Sequence, residues 1–106
     1  MKKTIMLVCN AGMSTSLLVT KMQKAAEAEG LETDIFAVSS AEAGELMDSK
    51  PIDILMLGPQ VRFLEKEYRT KLEPKGVPVV SINMTDYGMM KGDRVLAQAI
   101  KLMDGE

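Results

Sequence analysis

Histidine and tryptophan are absent from this sequence, and cysteine occurs once, at Cys9. Without histidine, the chain lacks the base of Ser-His and Cys-His pairs, imidazole metal ligands and any phosphohistidine of its own. One thiol cannot close an internal disulfide. Two tyrosines and two phenylalanines are too few for the stacking that a flavin site normally uses. Covalent chemistry on this chain therefore needs another nucleophile, and we expect neither a metal nor a cofactor.

Long apolar runs and charge clusters are also missing. No stretch approaches the roughly 20 apolar residues that span a bilayer. The run Thr4–Val8 after Lys2 and Lys3 is too short for an export signal, and polar Asn10 follows it. Thirteen basic and fifteen acidic residues give a net charge of -2 without a basic cluster, so no nucleic-acid partner is expected. These features favour a monomeric cytoplasmic protein with a single domain, residues 1–106.

Four short apolar runs alternate with four stretches of helical periodicity, which is typical of a parallel sheet between helices. The predicted strands are Thr4–Val8, Thr33–Val38, Ile52–Leu57 and Val77–Ile82. The predicted helices are Ser14–Glu29, a short one from Ser39 or Ser40 to before Pro51, one from Pro59 to Pro74, and Gly92–Met103. Helix one carries an apolar stripe that includes Leu17, Leu18 and Met22. Ser39 and Glu42 have capping-box spacing at the start of helix two.

The order of the strands follows from residues that are poorly suited to the middle of a sheet. Pro78, inside strand four, cannot donate a ladder hydrogen bond, and strand two carries Glu32 and Asp34. The fold class is therefore α/β, with three layers and a four-stranded parallel sheet of order 2-1-3-4 flanked by helices. This order creates a topological switch point between strands one and three, where ligands bind in open parallel sheets. Strand one ends there, at Cys9.

The segment after strand one reads Cys9-Asn10-Ala11-Gly12-Met13-Ser14-Thr15-Ser16. A small, polar, glycine-containing turn into a helix can direct several N–H groups at one phosphate. The same amides favour a thiolate at Cys9, the nucleophilic form, and would then hold the phosphocysteine. Cys9 is thus the candidate catalytic residue, and Asn10 to Ser16 form the candidate phosphate loop. A free cysteine considered without its context is more often a buried small apolar residue, and the remaining residues an ordinary helix cap. The combination of Cys9 at the switch point with a loop of this composition favours the catalytic interpretation.

The loop resembles that of low-molecular-weight tyrosine phosphatases and arsenate reductases, whose folds the predicted architecture also resembles. In that family an arginine follows the cysteine after five residues, and a serine or threonine comes next. Thr15 and Ser16 stand at those positions here. The arginine stabilises the charge of the transferring group during hydrolysis. A phosphatase or reductase activity is the alternative hypothesis, and the missing arginine argues against it.

A closer resemblance extends over the whole chain. The loop from Cys9 to Ser16, the segment Leu57-Gly58-Pro59-Gln60 and the late Tyr87-Gly88 resemble the enzyme IIB subunit of the lactose/cellobiose (chitobiose) family of the bacterial sugar phosphotransferase system. In that family the loop reads similarly to Cys-Ser-Ala-Gly-Met-Ser-Thr-Ser, and only Asn10 differs. The resemblance implies a relay: a IIA phosphohistidine donates to Cys9, which donates to a disaccharide held by the membrane IIC permease. Association with the permease would be transient.

Two further segments follow strands three and four. Gly58, Pro59 and Gln60 either line the site, dock a partner or simply begin a helix. A receiver domain would need an aspartate there. Tyr87 and Gly88 are candidates for lining the site or docking a partner. The methionines of 84–90 either form an adaptable docking surface or cover the core, and we favour the core. Asp86 is not assigned the acid role of phosphatases, and Met13 either packs under the loop or contacts partners.

Overall fold

The structure, a computed structural model, describes residues 2–10 and 13–104, with only the backbone of Met13 and Ser14. The parallel strands are β1 (Lys3–Cys9), β2 (Thr33–Ser39), β3 (Ile54–Leu57) and β4 (Val79–Ser81). The α-helices are α1 (Met13–Ala28), α2 (Ser40–Ser49), α3 (Glu65–Leu72), α4 (Met84–Gly88) and α5 (Gly92–Met103). Two 3-10 helices, Pro59–Leu64 and Glu73–Lys75, flank α3.

The sheet has the order β2-β1-β3-β4, as predicted, with every neighbouring pair parallel. Strand β2, with Asp34, forms one edge and β4 forms the other. Strand β4 begins at Val79, one residue after Pro78, so the proline precedes the strand rather than lying inside it. The Pro78 carbonyl still accepts a hydrogen bond from Leu55 N at 3.0 Å. Strand β4 lies at an edge of the sheet, where no N–H donor is needed from Pro78. This agrees with the reason for which strand four was predicted to be an edge strand.

The apolar core lies on both faces of the sheet. Because side chains alternate along a strand, β1 supplies both layers. Ile5 and Leu7 pack with residues of α1 and α5, whereas Met6 and Val8 pack with residues of α2 and α3. The arrangement is the predicted three-layer one. By the same alternation, Cys9 belongs to the face covered by α1 and α5.

Helix α5 begins in close contact with α1 at Gly92, which is buried. A Cβ at this position would lie 2.6 Å from Cβ of Lys21 and 2.7 Å from both the Lys21 carbonyl carbon and Met22 N. Two of these three atoms belong to the backbone of α1, so they cannot be displaced by a rotamer change. The close approach of the two helices therefore requires glycine at residue 92.

Several boundaries differ from the sequence predictions. Ile52 and Val77 lie outside β3 and β4, which are shorter than expected. The predicted third helix is a 3-10 segment, Pro59–Leu64, followed by α3, and the 3-10 segment is itself kinked at Val61, which has the non-helical angles φ -121° and ψ 18°. Leu17, predicted on the buried stripe of α1, is 52% exposed, whereas Leu18 is fully buried.

Helix α2 begins and ends where it was predicted, at Ser40 and Ser49, but the predicted cap at Ser39 is not formed. The Ser39 side chain caps no backbone N–H of α2; its hydroxyl instead donates to the Glu42 carboxylate at 3.0 Å. Helix α4 was not predicted at all. Its N-cap is Asn83, whose side-chain oxygen accepts hydrogen bonds from Thr85 N at 2.9 Å and Asp86 N at 3.1 Å. An asparagine cap of this kind satisfies donors that a helix start leaves unpaired.

Among the helices of residues 2–10 and 13–104, none combines the length and apolar composition that crossing a bilayer requires.

Candidate functional site

Strand β1 brings Cys9 to the carboxyl edge of the sheet, at the switch point beside β3. The cysteine is a free thiol and only 2% exposed. Its Sγ lies 3.8 Å from the carbonyl oxygen of Val38 on β2, to which the thiol donates a weak hydrogen bond. The position is the one predicted for a nucleophile, but the burial is that expected of a small apolar residue. Exposure alone therefore does not distinguish the two interpretations of Cys9.

The phosphate loop predicted at residues 10–16 is described only in part. Asn10 is exposed, and Ala11 and Gly12 lie outside the described residues, as do the side chains of Met13 and Ser14. Helix α1 begins at Met13, so the turn from β1 into the helix is as short as predicted. The convergence of its amides on the sulfur remains a prediction.

Thr15, at the position of the phosphatase arginine, is 1% exposed. Its Oγ1 lies 2.9 Å from the phenolic oxygen of Tyr87, and either hydroxyl is able to donate. Ser16, by contrast, is exposed, and its carbonyl accepts a hydrogen bond from the Thr20 hydroxyl at 3.2 Å. A neutral, inward-facing side chain at residue 15 cannot supply the positive charge that an arginine would.

The segment after β3 lies directly beside the end of β1. Gly58 is buried, and its N–H donates to the Val8 carbonyl at 2.9 Å, one residue before Cys9. Gly58 also approaches Tyr87: a Cβ added to it would be 3.6 Å from Cε2 of the tyrosine ring. Pro59 is the first residue of a 3-10 helix, which agrees with the alternative that this segment begins a helix. Gln60 is exposed.

Tyr87 therefore connects its own helix, α4, with the start of α1 at Thr15 and with the segment after β3 at Gly58. Tyr87 is buried, whereas its neighbour Gly88 is exposed. The structure thus brings Thr15, Gly58 and Tyr87 together next to the end of β1. The contact between Thr15 and Tyr87 was not predicted. The only sequence signal near it was Asn83-Met84-Thr85-Asp86, whose spacing of a polar cap and an acidic third residue is typical of a helix start.

The methionines after β4 are placed differently from the favoured prediction. Met84 and Met89 are 60% and 63% exposed, so they do not cover the core. Met90 does pack against the core layer of α1 and α5. The exposure of Met84 and Met89 agrees with the docking-surface alternative, since only an exposed side chain can contact a partner.

Asp86 forms an ion pair with Arg94, with 3.8 Å between Oδ1 and Nη1. Its backbone carbonyl accepts from Lys91 N at 2.8 Å, which fixes the turn between α4 and α5. Both contacts hold Asp86 in the turn between α4 and α5, which is a structural role. We do not assign it a role as a general acid.

Together these features define an open parallel α/β protein with one thiol at its switch point and no arginine at residue 15. Comparison with known proteins identifies the class further. Residues 4–98 match the model of the family described as "PTS system, Lactose/Cellobiose specific IIB subunit". The chain therefore belongs to this family, the IIB subunits of sugar phosphotransferase systems of the lactose/cellobiose type.

Two curated relatives are each 53% identical over 106 residues, 96% of this chain and 97% of their own length. They are the galactose-specific EIIB component of Lactococcus lactis subsp. cremoris (strain MG1363) and the cellobiose-specific EIIB component of Lactococcus lactis subsp. lactis (strain IL1403). Among solved structures, the cellobiose-specific IIB component from Borrelia burgdorferi superposes with a TM-score of 0.78 at 38% identity. That match covers 98% of this chain and 94% of the other. Members of this family act as phosphotransferases in sugar transport.

Proposed function

We propose that Cys9 is the phosphoryl acceptor of a relay between a IIA protein and a IIC permease, with the chain acting as one cytoplasmic IIB domain. The observation that carries the proposal is the place of the only cysteine at the switch point of the sheet, in a chain that has threonine rather than arginine at residue 15. In the first step the Cys9 thiol loses its proton and the sulfur attacks phosphorus; an S–P bond forms, the N–P bond of the phosphohistidine breaks, and the departing imidazole nitrogen takes up a proton.

The second step regenerates the thiolate. A hydroxyl oxygen of the disaccharide attacks phosphorus, an O–P bond forms and the S–P bond breaks, while the hydroxyl proton passes to a base in the permease site. Both steps require direct approach to the sulfur. Because Cys9 is almost completely buried in the free protein, docking of each partner has to uncover it.

The buried Thr15 favours this carrier function over the phosphatase alternative. Rapid hydrolysis needs a cation that stabilises the charge of the phosphoryl group, and residue 15 offers only a hydroxyl bonded to Tyr87. A carrier benefits from slow hydrolysis, because its intermediate then survives until the permease docks.

The experiment follows a labelled phosphoryl group from phosphorylated IIA. We expect transfer of one label to this protein, dependence of sugar phosphorylation on its presence, and no steady release of phosphate from an aryl phosphate. Sustained aryl phosphate turnover with no labelling by IIA would overturn the carrier proposal in favour of the phosphatase.

The transported sugar is expected to be set by the permease. The two relatives that share 53% identity with this chain are named for different sugars, galactose and cellobiose. Exchanging the permease, with this protein kept constant, should therefore change which disaccharide is phosphorylated.

Met84 and Met89 are proposed to contact the partners. Substituting both with serine should raise the concentration of IIA at half-maximal rate about tenfold, because two exposed apolar contacts would be lost. The maximal rate should change little. Leu31→Ser is the matched control, since Leu31 is 37% exposed and precedes β2 at the opposite edge of the sheet. An equal response to the control substitution would contradict the docking role.

A further inference from the structure

The hydrogen bond between Thr15 and Tyr87 joins residues 72 apart in the sequence and is buried. Thr15 is the third residue of α1, and Tyr87 lies near the end of α4. The two side chains are 1% and 6% exposed, so water competes little for the hydroxyls. A contact of this kind stabilises one relative placement of the two helices more strongly than a surface hydrogen bond does.

Tyr87 is itself held from two directions. Its ring faces Gly58, with Cε2 3.6 Å from the place that a Cβ of residue 58 would take, and the Gly58 N–H is bonded to the Val8 carbonyl near the end of β1. Its backbone N–H donates to the Asn83 carbonyl at 2.9 Å, and its carbonyl accepts from Met90 N at 3.1 Å. The phenolic oxygen therefore extends from a position that is fixed relative to the ends of β1 and β3.

The first turn of α1 needs such an anchor. The first four N–H groups of an α-helix have no partner within the helix, and their directions are set by where the helix starts. Thr15 belongs to this turn, and Cys9 lies at the end of the strand that leads into it. A shift of the turn by roughly 1 Å is enough to reduce a transfer rate a hundredfold, because the reacting groups lose their alignment.

We propose that Tyr87 is a positioning residue for phosphoryl transfer: through the Thr15 hydroxyl, it fixes the first turn of α1 relative to the end of β1 and Cys9. This inference rests on the proposed function. It also explains why residue 15 is a buried threonine. Its hydroxyl positions the first turn of α1 through Tyr87 and does not bind the phosphoryl group.

The test compares variants that differ by a hydroxyl. Tyr87→Phe and Thr15→Val should each lower the maximal rate of transfer from IIA by roughly ten- to a hundredfold, with the half-saturating concentration of IIA unchanged. Thr15→Ser keeps the hydroxyl and should retain a rate within about threefold of the parent. The double variant should be no slower than the slower single variant, because both substitutions remove the same bond.

Tyr68→Phe is the matched control. Tyr68 is 5% exposed and packs in the other core layer, on α3. Burial raises the pKa of Tyr68, with the charge of Glu67 adding to the effect, so its phenol stays neutral over the assay range. Its substitution should leave the transfer rate unchanged. Equal loss in both tyrosine variants would overturn the positioning role.

A second measurement separates this inference from the relay itself. Hydrogen exchange of the Leu17 and Leu18 amides, which pair with the first turn of α1, should be faster in Tyr87→Phe than in the parent or in Tyr68→Phe when measured by NMR on the unphosphorylated protein. If no variant accepts a phosphoryl group but this difference appears, the relay fails and the anchor stands. If transfer proceeds normally and exchange is unchanged in Tyr87→Phe, the anchor fails and the relay stands.

Discussion

Replacing Cys9 with serine is expected to lower phosphoryl transfer from IIA by on the order of a thousandfold or more, which is the scale of loss when a catalytic nucleophile is removed. A serine hydroxyl is far less ionised than a thiol near neutral pH, so it attacks phosphorus poorly. The measurement is the rate of labelling of the protein and of sugar phosphorylation in a reconstituted system with IIA and IIC.

The folded state of this variant has to be checked, because residue 9 is buried. Serine places a polar oxygen where the sulfur now lies beside the Val38 carbonyl, and we expect a loss of unfolding free energy of about 1 kcal/mol. Cys9→Ala is the second variant, which leaves no hydroxyl to satisfy. Both should still compete with the parent for IIA. Transfer by folded Cys9→Ala at a rate within tenfold of the parent would show that another group accepts the phosphoryl.

The second large effect is expected on stability. Gly92→Ala should reduce the free energy of unfolding by about 3 kcal/mol or more, because the new methyl group would meet the backbone of Lys21 and Met22 at 2.7 Å. The helices α1 and α5 would have to separate, which disturbs the core layer that they cover. Urea unfolding followed by circular dichroism measures the change.

Gly44→Ala is the control for this substitution. Gly44 lies inside α2, and a Cβ added there has no atom within 4 Å. Alanine favours a helix interior over glycine, so this variant should gain about 0.5 to 1 kcal/mol. Unfolding of Gly92→Ala at the same urea concentration as the parent would show that the approach of α5 to α1 is looser than the structure indicates.

The sheet was predictable because its residues carry unambiguous local signals. Strand β1 is a continuous apolar run, as a strand buried on both faces requires. Pro78 and Asp34 marked the two edge strands, and that was sufficient to derive the order and hence the position of Cys9. The end of α1 at Ala28 is one residue from the predicted end at Glu29, and Gly30, which follows, adopts φ +70°, a conformation that favours glycine after a helix.

Features that depend on tertiary contacts were harder to predict. Helix α4 has five residues and is stabilised by the Asn83 cap, so it is too short to show a helical period. The exposure of Leu17, Met84 and Met89 depends on which neighbours cover them, and apolar character alone indicates burial. Nothing in the local sequence connects Thr15 with Tyr87, since the bond exists only after the sheet has assembled.

The claim on which the account depends is that phosphorus becomes bonded to the sulfur of Cys9. Because the chain has one cysteine, which the folded protein buries, counting the thiols of urea-unfolded samples with a thiol reagent, before and after phosphorylation by IIA, tests it directly. The account predicts that one thiol is lost for each phosphoryl group bound and returns when the sugar is phosphorylated. A protein that carries the phosphoryl group while its thiol remains fully titratable would contradict it.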